Sequence, residues 1–208
     1  VRPTAFVDVA APPSPAALRG MREDGFVGWS VYLPAEGPSL SDWSSDHLAA
    51  LAGGILSVNA SPVALDRAQG ALGTITDTRV LVSHLGLPGS TACDTDIATA
   101  RGVLAPLLTL APLEHIAVKL SGLYAIDPSY PHAGARTTVE AVLDAFGTDR
   151  IVWGSDFSPV ASEVAPSDLM VVPEWILAGL SPSETDAIRG GTLHRHLAHV
   201  DSIGGTDA

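Results

Sequence analysis

RIVWGSD (150–156) is an apolar stretch that runs directly into a carboxylate, and it has two counterparts upstream: VLVSHLG (80–86) and AVKLSGL (117–123). Each has the composition of a buried strand in an α/β protein, being short and continuous in Val, Ile and Leu. Each also carries a titratable side chain near its carboxyl end. Removing a charge from water is costly unless that charge is paired or used, so these positions are the first functional candidates.

The spacing of these polar residues indicates a repeated β/α architecture. His84, Lys119 and Asp156 are 35 and 37 residues apart, close to the length of one strand–loop–helix unit. Active sites of α/β barrels are built from the carboxyl ends of several strands, so we expect the three side chains to meet. Lys119, the only lysine of the chain, is interpreted as the partner of a buried carboxylate, as a substrate-binding cation or as a Schiff-base amine.

Strand patterns alternate with helix signals along the whole chain. Strands are predicted at 5–9, 27–33, 54–60, 79–86, 116–122 and 150–156. Helices are predicted after Ser14-Pro15, over residues 137–146, and from the capping box at 181–184 to Gly190-Gly191. This alternation implies a parallel sheet, and no glycine-rich nucleotide turn follows the first strand. We therefore predict an α/β fold of the (β/α)8 TIM-barrel type rather than an open nucleotide-binding sheet.

The predicted barrel is two strands short of the usual eight. The chain starts with Val1 and enters a strand pattern almost at once. Residues 1–208 are therefore interpreted as a single barrel domain that is incomplete at its N-terminus and lacks the first one or two β/α units.

Composition excludes several classes of function. The net charge is −12 and no basic cluster is present, which argues against nucleic-acid binding. No apolar run of membrane-spanning length and no signal peptide is visible, so a cytoplasmic protein without a membrane partner is expected. The single cysteine, Cys93, excludes an internal disulfide. A small-molecule substrate is expected, and association into a homo-oligomer is left open.

Other polar residues accompany the first three candidates. Asn59, Ser121 and Ser155 lie at or near predicted strand ends and are expected to orient a substrate. The loop 124–135, which begins with Tyr124, is the candidate substrate cover. The histidines of LHRHLAH (193–199) are interpreted as a solvated helix end, because no HExxH glutamate accompanies them.

Three stretches, in this order and spacing, resemble the amidohydrolase-related (amidohydrolase-2) family: VLVSHLGLPG (80–89), IAVKLSGLY (116–124) and RIVWGSDFSP (150–159). The similar subgroup contains sugar lactonases and the 2-pyrone-4,6-dicarboxylate lactonase. The resemblance implies a distorted (β/α)8 barrel in which Asp156 activates water and His84 polarises the scissile carbonyl or assists proton transfer. It further implies that Lys119, Ser121 and Tyr124 line the same mouth.

The chain departs from the family pattern where metal ligands are expected. No H-x-H precedes the first strand pattern, and Asn59 stands where metal-dependent members have histidine. His84 and Asp156 supply two ligands, whereas catalytic zinc sites normally have three. The expected cofactor is therefore none, or one divalent metal (zinc or manganese) held by His84 and Asp156.

These observations lead to one expected function and two alternatives. We expect a hydrolase that opens a lactone or a similar cyclic ester or amide, with Asp156 as general base and His84 polarising the carbonyl. One alternative is a metal-dependent decarboxylase or hydrolase whose H-x-H lies upstream of Val1. The other is a non-catalytic interaction module, since an incomplete barrel has two exposed sheet edges.

Overall fold

The computed structural model describes residues 2–156 and 164–204. Within them, six strands form one parallel sheet whose spatial order follows the chain order. The strands are β1 (Thr4–Phe6), β2 (Gly28–Leu33), β3 (Ile55–Ala60), β4 (Arg79–Val82), β5 (Ile116–Leu120) and β6 (Ile151–Trp153). This topology confirms the predicted α/β class with a parallel sheet.

Helices connect consecutive strands in the described part of the chain. Their bounds are α1 (Pro15–Glu23), α2 (Ser45–Ala49), α3 (Pro62–Thr74), α4 (Ile97–Val103), α5 (Ala105–Leu108), α6 (Arg136–Phe146), α7 (Pro166–Leu169), α8 (Glu174–Leu177), α9 (Pro182–Asp186) and α10 (Thr192–Gly204). Ser14 caps α1 by accepting from the Ala17 N–H at 3.2 Å, and a reciprocal capping box at Ser181 and Glu184 starts α9, as predicted.

The helix predicted to end at Gly190-Gly191 is different in the structure. Helix α9 stops at Asp186, a π-helical turn follows over Ala187–Gly191, and α10 begins at Thr192. The break falls at Gly190, whose φ of 161° and ψ of −17° lie outside the helical region. A glycine pair thus interrupts the helical path and redirects it rather than ending it.

Four predicted strands end earlier than the sequence pattern indicated. β1 ends at Phe6, β4 at Val82, β5 at Leu120 and β6 at Trp153. After β4 and β6 the reason is local, because His84 has φ = 56° and Asp156 has φ = 46°. A left-handed residue cannot continue a strand. His84 and Asp156 therefore lie in the turns that follow the strands.

The two faces of the sheet are covered differently. The outer face buries Trp29, Leu56 and Val58 beneath the connecting helices, in the main apolar core. We call the opposite face, which carries Ile55 and Ser57, the inner face. A second apolar cluster covers part of this face and comprises Val27, Ile55, Leu81, Ala117, Val152, Leu193, Leu197 and Val200.

Helix α10 supplies the cover of the inner face. Leu193, Leu197 and Val200 pack on strand residues, so the segment 193–199 is not the solvated helix end that its histidines suggested. His196 is partly buried, and its Nε2 has no hydrogen-bond partner among the described residues. His196 is therefore partly buried because it lies between Leu193 and Leu197, which pack on the sheet.

No helix in the described ranges is long and apolar enough to cross a membrane.

The close approach of β2 to β3 predicts that alanine has opposite effects on stability at two glycines. A Cβ on Gly28 would lie 1.8 Å from the Ile55 carbonyl oxygen, whereas a Cβ on Gly70, within α3, meets nothing within 4 Å. Gly28→Ala is expected to lower the free energy of unfolding by about 3 kcal/mol or more. Gly70→Ala should raise it by about 0.5–1 kcal/mol. Thermal unfolding of both variants is the measurement, and a Gly28→Ala protein of native stability would contradict the strand pairing.

The packing of α10 predicts a pH dependence of stability. Burial, with smaller effects of Arg79, Arg195 and His199, lowers the pKa of His196 from 6.5 to about 4. A depressed histidine pKa gives stability that is present above pH 6.5 and is lost as the pH falls towards 4, because the unfolded chain binds the proton more readily.

We expect His196→Gln to remove about 2 kcal/mol of this pH-dependent change in the free energy of unfolding. Urea unfolding at pH 7 and pH 4 measures it, with His194→Gln, an exposed position on the same helix, as the control. If the His196→Gln protein and the original lose equal stability between these pH values, α10 is not packed as described.

Candidate active site

A cavity of about 700 Å³ opens on the inner face and extends past the carboxyl ends of the strands. Six of the residues predicted from the sequence line it: Asn59, His84, Lys119, Ser121, Ser155 and Asp156. They come from β3, from β5 and from the turns after β4, β5 and β6. The structure therefore brings together side chains that are up to 97 residues apart in the chain, from Asn59 to Asp156.

The turn after β4 aims His84 into this cavity. His84 and Leu85 have φ values of 56° and 54°, and Leu87 follows at 49°. Left-handed backbone costs about 1–2 kcal/mol per residue when a Cβ is present. Such strain is concentrated at functional sites, where the surrounding structure maintains it.

His84 contacts two neighbouring turns. Its Nδ1 lies 3.0 Å from Ser121 Oγ and 3.6 Å from Asp156 Oδ2. Burial lowers the pKa of His84, and the nearby Asp156 charge opposes this effect only in part. The imidazole is therefore neutral at pH 7, and the first distance is a hydrogen bond whereas the second is not.

Asp156 is held by a tyrosine from the turn after β5. The Tyr124 hydroxyl donates to Asp156 Oδ2 at 2.8 Å. Burial and this hydrogen bond raise the pKa of Tyr124 to about 12, so the phenol keeps its proton at physiological pH. Tyr124 thus orients one carboxylate oxygen of Asp156.

Lys119 lies deeper on β5. Its Nζ donates to Ser57 Oγ at 3.2 Å and to Ser83 Oγ at 3.1 Å, and the two hydroxyls are 3.2 Å apart. Burial lowers the pKa of Lys119, and the Asp156 charge partly opposes it. Lys119 and Ser121 both face the cavity, as their alternation along the strand predicts.

Ser57 and Ser83 were not predicted from the sequence, although both contact Lys119. A signal was present for Ser57, which precedes Asn59 by two residues and therefore shares its face of β3. Ser83 precedes His84 directly, and only the turn after β4 brings its hydroxyl to Lys119 while His84 lines the cavity.

The loop 124–135 lies beside the site. Tyr124 touches Asp156, whereas Tyr130 and His132 line a smaller adjacent pocket. His132 Nδ1 lies 2.7 Å from the Asp127 carbonyl oxygen, so its ring is bound within its own loop. Of Tyr124, Tyr130 and His132, only Tyr124 is hydrogen-bonded to Asp156.

The donor set does not form a metal centre among the residues that the structure describes. These residues include no group of three or more His, Cys, Asp or Glu side chains able to hold a metal ion. His84 Nδ1 is bonded to Ser121, and Asp156 Oδ2 accepts from Tyr124. Two protein ligands are also fewer than a catalytic zinc site normally has, so we derive no step through a metal.

A parallel β/α sheet with titratable side chains converging at the carboxyl ends of its strands is the arrangement of (β/α)-barrel enzymes. The sequence profile of the amidohydrolase family matches residues 1–195. The chain therefore belongs to the amidohydrolase family, and the predicted TIM-barrel class is confirmed.

One relative of the chain is a lactonase. An L-fucono-1,5-lactonase from Burkholderia multivorans is 33% identical over 129 residues, which are 57% of this chain and 43% of that protein. The match thus spans less than half of the relative's length.

Solved structures share the fold at low identity. A putative 2-pyrone-4,6-dicarboxylic acid hydrolase from Pseudomonas putida has a TM-score of 0.71 and is 23% identical, with 94% of this chain and 72% of that chain covered. An amidohydrolase from Burkholderia multivorans with bound zinc has a TM-score of 0.70, with the same identity and coverage. Both show the fold.

The geometry around His84 explains why residue 122, the last of the KLSG sequence, is glycine. A substitution there tests the contact. Gly122 has φ = 65°, and a Cβ there would lie 2.6 Å from His84 Nδ1. Gly122→Ala is expected to displace the imidazole and break its bond to Ser121. The measurement is the ring nitrogen shifts of His84 in an NMR spectrum.

Gly89→Ala is the control for backbone strain, because Gly89 also has a positive φ of 73°, with ψ of −176°, but open space around it. It should cost about 1–3 kcal/mol of stability and leave the His84 ring shifts unchanged. Unchanged His84 shifts in the Gly122→Ala protein would refute the described contact.

Proposed function

We propose that the protein hydrolyses a lactone or a similar cyclic ester or amide, with Asp156 as the general base. The observation that carries this proposal is the cluster of His84, Ser121 and Asp156 in one cavity, with Tyr124 of the adjacent pocket bonded to Asp156. Membership of the amidohydrolase family and the lactonase relative support the reaction class.

Asp156 has the geometry of a base for water. Its Oδ2 accepts from Tyr124, while Oδ1 makes no hydrogen bond with a described residue. A water molecule bonded to Oδ1 would transfer its proton there as its oxygen attacks the carbonyl carbon of the ring. The left-handed backbone of Asp156 keeps the carboxylate at the cavity instead of in the strand.

His84 is suited to polarise the carbonyl. If the Ser121 hydroxyl donates to Nδ1, the single ring proton of the neutral imidazole is on Nε2. Nε2 makes no hydrogen bond with a described residue, so it is free to donate to the carbonyl oxygen as negative charge develops. The low pKa of His84 thus fits a neutral donor rather than an imidazolium.

The remaining lining residues would orient the ring. Asn59, Ser121 and Ser155 offer amide and hydroxyl groups near the reacting atoms, and Lys119 offers a cation below them. The substrate is a small molecule. A cytoplasmic location, a single domain over residues 1–208 and homo-oligomeric assembly stay predictions.

The role of Asp156 is tested in the intact protein with a panel of lactones that includes L-fucono-1,5-lactone and 2-pyrone-4,6-dicarboxylate. Ring opening releases a carboxylic acid, which a pH indicator follows. For a lactone that is turned over, Asp156→Asn should lower kcat about 10²- to 10⁴-fold, because an amide cannot accept the proton.

Asp144→Asn is the matched control, since Asp144 is an exposed carboxylate paired with Arg101 on the outer helices. Its kcat should equal that of the original protein. Near-normal turnover by the Asp156→Asn protein, or no ring opening across the panel, would contradict the proposal.

A further inference from the structure

Lys119 is the one amine side chain of this acidic protein, and it lines the cavity. Burial there disfavours its charged form. Two hydroxyls solvate it, from Ser57 on β3 and from Ser83 in the turn after β4. Both serines are themselves buried, with exposed fractions of 6% and 0%.

The cluster of Lys119, Ser57 and Ser83 includes no described carboxylate that would neutralise the buried ammonium. An ammonium group has three N–H donors, and the two serines accept from two of them. Within residues 2–156 and 164–204, the ion pairs closer than 4.0 Å do not include Lys119. Among these residues the third N–H has no acceptor, and Lys119 lines the cavity.

If Lys119 served packing alone, an apolar side chain at this position would cost less free energy on folding. Buried charges are retained at low energetic cost only when they are paired and fully hydrogen-bonded, and well-packed apolar residues replace such groups without loss of stability. Asp156 is near enough to influence the Lys119 pKa, yet its Oδ2 is bonded to Tyr124. The charge of Lys119 is thus available to a bound molecule.

We propose that Lys119, oriented by Ser57 and Ser83, binds a carboxylate of the substrate, so that the substrate class is a lactone bearing an anionic group. This proposal rests on the proposed function for the identity of the reacting ring. The anion subsite itself is independent of turnover.

The position of Lys119 along β5 determines how such a molecule would lie. Lys119 precedes Ser121 by two residues, which is about 7 Å of strand. Ser121 contacts His84, so the reacting carbonyl would lie in the upper layer and the anionic group in the layer below it. The substrate would enter with its carboxylate first.

The test measures binding with two inert probes of the same shape, furan-2-carboxylate and furan-2-carboxamide, by calorimetry on the intact protein. The original protein should bind the carboxylate about tenfold or more tightly than the amide, because the bond to an ammonium is charge-assisted. Lys119→Met should abolish this preference. Asp156→Asn should retain it while losing turnover, which separates this proposal from the proposed function.

Two further variants test whether the preference for the carboxylate depends on the charge of Lys119 in particular. Arg101→Met removes the same charge from the outer surface and should leave the preference unchanged. Ser57→Ala keeps the cation and should retain a preference for the carboxylate. Equal binding of both probes by the original protein, or a preference that survives Lys119→Met, would overturn the anion subsite. A loss of kcat in Lys119→Met with carboxylate binding unchanged would also overturn it.

Discussion

The left-handed turn after β4 is the constraint on which the site depends. It ends the strand at Val82, places Ser83 beneath the cavity and directs His84 towards the turns after β5 and β6. The His84 side chain in this position leaves no room for a Cβ on its neighbour Gly122, which would lie 2.6 Å from Nδ1. Two of the three stretches first selected in the sequence are therefore linked by one steric requirement, and the strain of the first is maintained by the packing of the second.

Electrostatics separates the cavity into two layers. In the upper layer, His84 is neutral because burial lowers its pKa, and Asp156 is held by a tyrosine that keeps its proton. In the lower layer, Lys119 is solvated by hydroxyls and has no close carboxylate among the described residues. Direct pairing of Lys119 with Asp156 would neutralise both groups and leave neither for a substrate. Ser57 and Ser83 hold the ammonium from the β3–β4 side of β5, whereas Asp156 follows β6 on the other side, so a base and a cation occupy one cavity.

The sequence predicted what depends on local pattern. Continuous apolar runs predicted all six strands of the described ranges, and titratable residues at their ends predicted His84 and Asp156. It did not predict what depends on tertiary neighbours. Nothing local indicates that the hydroxyls of Ser57 and Ser83 share one ammonium, since they belong to different strand units. Positive φ values are uncommon in residues other than glycine. The predicted strands therefore extended past Val82 and Trp153 into the turns that contain His84 and Asp156.

Helix α10 carries three histidines, but they do not determine where the helix packs. Its histidines are visible in the sequence, but its position is decided by Leu193 and Leu197, which cover Ile55 and Leu81. A sheet that carries such side chains on its inner face must bury them, and a helix with an apolar stripe does so. The same two leucines line the cavity below Lys119. Arg2 also lines the cavity, but it is paired with Asp201, so a bound carboxylate is drawn to Lys119.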